Sequence, residues 1–108
     1  MQPNQPQNPD PNALNIELSE AIAEGEYANL ALIAHSSSEF VVDFIRLLPG
    51  VPKAKVKARI ILTPEHARRL LAALEENIQR FEQSYGPIKV HQDAPTYPIN
   101  FGGAIGEA

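Results

Sequence analysis

The sequence predicts an α+β domain: an antiparallel sheet of about four strands, then one long amphipathic C-terminal helix, assembled as a homodimer. Three observations carry this expectation. Segments between residues 14 and 62 alternate apolar and polar positions with the period of half-buried strands. Apolar residues from Ala67 to Tyr85 recur with the period of a helix. The strand-like segments also carry apolar residues on both sides, more than one helix can cover.

The elements follow in order. Residues 1–13 hold Pro3, Pro6, Pro9 and Pro11 among Asn and Gln. They offer almost nothing to bury, so they are expected to be a disordered tail. They also lack the basic start and apolar run of a secretory signal. "LNIELS" alternates Leu14, Ile16 and Leu18 with polar neighbours and reads as a first strand. Gly25 marks a turn or bulge after it. "YANLALIAH" reads as the next strand, with Ala28, Leu30, Leu32 and Ala34 on one side and Ile33 and His35 on the other. Serines 36–38 make a polar turn. "EFVVDFIRLL" places Phe40, Val42 and Phe44 on one side and Val41, Ile45 and Leu47 on the other. "PGVPK" breaks that strand, since proline gives nothing to a ladder and Gly50 tolerates positive φ. "AKVKARIIL" follows, with Val56, Ala58, Ile60 and Leu62 facing inward. Short loops between these segments suggest an antiparallel meander.

The helix is expected over residues 64–85. Thr63 is a suitable N-cap, Pro64 suits the first helical position, and Glu65 complements the positive end of the dipole. Ala67, Leu70, Leu71, Leu74, Ile78, Phe81 and Tyr85 trace one stripe. Glu65 with Arg69 and Glu76 with Arg80 are i,i+4 pairs in the favourable order. Gly86 and Pro87 end the helix. Residues 14–86 thus make a single domain, and 87–108 an extended or disordered tail.

If the helix covers one face of the sheet, Ile33, Val41, Ile45, Leu47 and Ile61 crowd the other. Left in water, they would form a larger apolar patch than monomers tolerate. A homodimer with two-fold symmetry is therefore the first choice, with sheet packed on sheet or strands exchanged. Cover by the C-terminal tail is the alternative.

The formal net charge is −4 and cysteine is absent. A disulfide framework and thiolate-bound metal centres are thereby excluded, and no cofactor is expected. No stretch approaches the apolar length that spans a bilayer, so a soluble, cytoplasmic protein is expected. Against this acidic balance, Lys53, Lys55, Lys57 and Arg59 fall on every second position of "PKAKVKARIIL". On a regular strand they would share a face at about 6.6 Å spacing, close to the phosphate spacing of a nucleic-acid strand. Arg68 and Arg69 at the helix start would extend such an anion-contact surface. Lysines also protect sheet edges, and Glu39 and Asp43 could pair with this row across a ladder. No aromatic residue is interleaved to stack bases.

Other chemistry has little support. His35, His66 and His91 lie far apart in sequence. His35 and the adjacent Ser36 point to opposite sides of a strand, and no G-x-S-x-G elbow is present. Glu75 and Glu76 fit a solvated helix face. The expected function is a small non-enzymatic oligomeric module for protein interaction or scaffolding, with an unidentified protein partner. Nucleic-acid binding through strand 53–59 is the alternative.

Several segments carry a resemblance: "YAN", "EFVVDF", the "LPG" break and "LTPEHARRLLAALEENI". From about Ile16 to Ile88 the chain resembles a family of small bacterial and archaeal proteins, domain of unknown function 3467. The resemblance implies a compact domain and carries no catalytic residue with it. The order of strands and helix is also similar, in architecture only, to the oligomeric export chaperone SecB.

Overall fold

The structure is a computed structural model, and it describes residues 10–90. The sequence expectations for the first nine residues and for positions 91–108, His91 among them, lie outside the described residues. The remainder is α+β. A short helix α1 (Glu20–Ala23) precedes strands β1 (Leu30–His35), β2 (Phe40–Arg46) and β3 (Lys55–Leu62), and helix α2 (Pro64–Tyr85) closes the order. The sheet is antiparallel, with strand order β1-β2-β3.

The sheet therefore has three strands among the described residues, one fewer than expected. Leu14, Ile16 and Leu18 form no strand, and Leu14 is 84% exposed. Alternation is necessary for a half-buried strand but does not create a neighbour to pair with. The chain turns instead into α1, capped by the Ser19 hydroxyl, which accepts a hydrogen bond from the Ile22 N–H at 3.3 Å.

The β1–β2 turn is built by Ser36. Its N–H donates to the Glu39 carbonyl at 2.9 Å, and its hydroxyl accepts from the N–H groups of Ser38 and Glu39. This closes the hairpin with His35 opposite Phe40 and Ile33 opposite Val42. Directly opposed residues point to the same side. Leu30, Leu32 and Ala34 therefore join Val41, Asp43 and Ile45 on one face, with Arg59 and Ile61 beside them. Ala31, Ile33 and His35 join Phe40, Val42 and Phe44 on the other, with Ala58, Ile60 and Leu62. The phase expected for β1 is reversed. The alternation was legible in each strand, but the turn sets which alternation meets which.

β2 and β3 are joined through a turn in which the Val51 N–H donates to the Leu48 carbonyl at 3.2 Å. Pro49 occupies its second position and Gly50 its third, with φ of 76°. That combination belongs to a type II turn, where an L side chain would be strained. Further along, the ladder slips. Phe44 faces Ala58, but Ile45 faces Val56, so Lys57 is an extra residue in a bulge. Beyond it the two sides of β3 are exchanged. Val56, expected inward with Ala58 and Ile60, lies on the Ile45 face.

Among the described residues, the central strand is the well-covered part. Val42 at 8%, Ile45 at 5% and Asp43 at 3% are the buried residues among those described. α2 has the expected bounds and ends. The Thr63 hydroxyl accepts from the His66 N–H at 3.1 Å, and the Gly86 N–H donates to the Glu82 carbonyl at 2.9 Å. Its relation to the sheet is not the expected one. α2 contains no buried residue and meets the sheet chiefly at β3, so it does not cover a sheet face.

Candidate functional site

The expected row of cations does not exist as a row. β3 begins at Lys55, which leaves Lys53 outside the strand. Arg59 lies opposite Asp43 on one face, whereas Lys55 lies opposite Arg46 on the other. Lys57 occupies the bulge, with its ammonium 3.9 Å from Glu26 Oε1. A single extra residue thus divides cations that strict alternation would align.

Arg59 is committed within the chain. Its Nε donates to Asp43 Oδ1 at 2.6 Å and its Nη2 to Asp43 Oδ2 at 2.7 Å. This is the bidentate geometry that guanidinium and carboxylate favour. The Asp43 side chain is 5% exposed and that of Arg59 43%, so the guanidinium acts as a lid over the carboxylate. The Arg59 hydrogen bonds hold the Asp43 carboxyl below the usual carboxylate range, against the opposing effect of burial. The Asp43 carboxylate in turn raises the affinity of the guanidinium for its proton. The cross-ladder pairing expected for Asp43 is therefore present with Arg59. Nothing in "VVDF" itself marks Asp43 as buried; that follows from its place on the central strand.

Of the cations left without an acidic partner among the described residues, Arg46, Lys53 and Lys55 gather at one end of the sheet, whereas Arg68 lies on α2 and Lys89 beyond it. Arg46 and Lys55 oppose each other across the ladder, with Lys53 just outside it. Like charges so placed repel. Arg46 also lies over the Tyr27 ring, 6.0 Å from its centroid. At the helix start, Arg69 is held by Glu65, and Arg68 forms no ion pair among the described residues.

The expected interface residues are scattered. Val41, Ile45 and Ile61 share a face, but Ile33 lies on the opposite one. Ile45 is already buried within the chain and has little area left for a partner. Leu47 lies outside β2, half-buried, where its backbone is bracketed by Asn29. Asn29 Oδ1 accepts from the Leu47 N–H at 2.7 Å, and Asn29 Nδ2 donates to the Leu47 carbonyl at 3.2 Å. That side chain extends the β1–β2 ladder by one rung, a structural role for the Asn of "YAN".

A continuous run of exposed apolar side chains lies instead on α2. Leu71, Leu74 and Phe81 are about half exposed, and Tyr85 is 78% exposed. Phe81 and Tyr85 lie together with ring centroids 5.0 Å apart. At its N-terminal end the stripe opens into an apolar cleft of about 350 Å³, lined by Phe40, Pro64, Ala67, Arg68 and Leu71. Sequence reasoning found every residue of this stripe but assigned it to the sheet.

His35 stacks on Phe40, with ring centroids 5.5 Å apart, and His66 begins α2. Among the described residues no group of His, Asp and Glu converges in a way that would hold a metal ion. None of their helices is long and apolar enough to cross a membrane.

No curated protein and no solved structure matches the chain. A family model does, over residues 1–90, and its description is protein of unknown function (DUF3467). The match includes the Asn29 bracket, the bulged β2–β3 hairpin and the whole of α2, so this chain belongs to the DUF3467 family.

Proposed function

We propose that this protein is a non-enzymatic homodimeric module that serves protein interaction or scaffolding. One observation carries the reading: α2 presents an apolar stripe along its whole length, and no member of it is buried. Apolar side chains such as Leu71, Leu74, Ile78 and Phe81 would each gain roughly 1.5–3 kcal/mol from full burial. Monomers rarely leave so continuous a strip in water. A second copy is the partner always at hand, and two-fold symmetry satisfies both copies at once. Sedimentation equilibrium of the full chain tests this. A dimer at tens of micromolar is expected, and a species of 11.8 kDa at about 100 μM would overturn it.

A second reading has its own observation. Arg46, Lys53 and Lys55 form a cationic corner without acidic partners among the described residues. Nucleic acid could meet that corner through its phosphates, although the bulge removes the aligned row. In a mobility-shift assay at about 50 mM salt, this reading requires binding that Lys55→Glu weakens. Absence of binding, or binding indifferent to Lys55→Glu, would overturn it.

A further inference from the structure

We infer that α2 pairs with α2 of a second copy as an antiparallel two-helix coiled coil, with Tyr85 of each chain seated in the Phe40–Leu71 cleft of the other. This rests on the homodimer reading above and specifies the surface and its direction.

Spacing is the first argument. Ala67, Leu71, Leu74, Ile78, Phe81 and Tyr85 are separated alternately by four and three residues, from the first turn of α2 to its last residue. That is the alternation of a heptad seam, with Leu70 flanking it on one side. None of its members is buried in the chain.

The second argument is size. Let the helices run antiparallel with Leu74 opposite the partner's Ile78. Leu71 then meets the partner's Phe81, and Ala67 meets the partner's Tyr85. The smallest side chain of the seam thus faces the largest, as dense packing of layers requires. A parallel pair would set Ala67 against Ala67 and Tyr85 against Tyr85, leaving a gap at one end and crowding at the other.

The cleft is the third argument. It is lined by Ala67 and Leu71, the very positions that the antiparallel register places beside the partner's Tyr85 and Phe81. Phe40 of β2 is the one lining residue from the sheet, so the cleft lies where the seam begins beside β2.

Charge is the fourth. Arg68, Glu75 and Glu82 flank one side of the seam. The antiparallel register brings Arg68, which forms no ion pair within the described residues, next to the partner's Glu82. Glu82 is already oriented, since its Oε2 accepts from the Ile88 N–H at 2.9 Å. Two such pairs form per dimer, against one like-charge meeting of Glu75 with its copy near the axis. In a parallel pair Arg68 would have no acidic neighbour across the seam.

The absence of cysteine makes the direction measurable, because nitroxide labels can be placed singly. Glu76→Cys and Gln83→Cys both put a label on the outer side of the coiled coil, one heptad apart. The antiparallel register sets the two Glu76 positions level with each other. It offsets the two Gln83 positions along the axis by fourteen residues, about 21 Å. The interspin distance should therefore be clearly longer for Gln83 than for Glu76. Alongside this, Leu74→Glu should raise the dimer Kd about a thousandfold, because two unpaired carboxylates would enter the central layers. Leu74 is 54% exposed within the chain, so circular dichroism should show an unchanged sheet. A monomeric wild type would overturn both this inference and the homodimer reading. Equal distances at the two labels, or a Leu74→Glu variant that dimerises as tightly as wild type, would overturn the inference alone. If Leu74→Glu fails to fold, the label distances decide by themselves.

Discussion

Asn29 offers a sharp test of what fixes the hairpin. Its side chain makes two hydrogen bonds to the backbone of Leu47, one at 2.7 Å and one at 3.2 Å. A net hydrogen bond contributes about 0.5–1.5 kcal/mol. The shorter bond should lie near the middle of that range, and the longer, solvent-accessible one at its lower end. Asn29→Ala should therefore cost about 1.5 kcal/mol. Asn29→Asp sharpens the test because shape is nearly unchanged. The carboxylate still accepts from the Leu47 N–H, but its second oxygen now faces the Leu47 carbonyl, acceptor against acceptor. Asp should thus be no better than Ala. Urea melts at one fixed protein concentration measure both, since stability of an associating chain depends on concentration. With a slope of about 1 kcal/mol per molar urea, the Ala variant should lose about 1.5 M in midpoint at unchanged slope. An Ala variant within about 0.3 kcal/mol of wild type, or an Asp variant equal to wild type, would refute the bracket as a stabilising contact.

Two further outcomes follow from named contacts. Asp43 has a carboxyl whose pKa falls on folding, so its contribution is fully present above the unfolded value of about 3.9 and is lost as pH drops through the folded value. Between those two values the unfolded chain binds the extra proton, so stability rises with pH there. Acid titration followed by fluorescence or circular dichroism should show a shallower loss below about pH 4 in Asp43→Asn than in wild type; an identical slope would remove Asp43 from the account. Thr63→Ala deletes the hydroxyl that caps α2 and should cost about 1 kcal/mol, with Thr63→Ser close to neutral.

The elements were legible in the sequence wherever the signal is local. Thr63-Pro64 and Gly86-Pro87 bracket α2 because caps are decided by the residues that form them. β1 to β3 were legible from alternation for the same reason. What escaped is relational. The phase of β1 against β2 is set by the four positions Ser36 to Glu39, whose side chain–backbone bonds fix the closure, and "SSS" alone suggested a shorter turn. The bulge at Lys57 has no glycine or proline to mark it, yet it determines which face Lys55 and Val56 occupy. The alternation of Leu14, Ile16 and Leu18 has no ladder to join. The stripe on α2 announced that something must cover it, and a monomer's sequence pattern does not distinguish its own sheet from another copy's helix. The candidate site divides along the same line. Arg59 and Asp43 lie in neighbouring strands, and alternation suggests that the cation row meets Glu39 and Asp43 without saying which residues pair. The cleft under Phe40 joins residues from β2 and α2, and only the folded chain brings them together.

The sheet keeps its strands in the order in which they are synthesised, β1-β2-β3, and α2 follows directly from the last of them. Every pairing in it therefore joins neighbours along the chain. Such local topologies close small loops and fold fast, because little chain entropy is lost before contacts begin to return it. In the proposed dimer, cover for α2 would come by another route, from the second copy. Refolding from denaturant should accordingly divide in time. A rapid phase, indifferent to dilution, should form the hairpins, and a slower one whose rate scales with protein concentration should complete the helix. In a cell the second step would depend on how many copies are made near one another, so abundance itself would govern how much of this protein is finished.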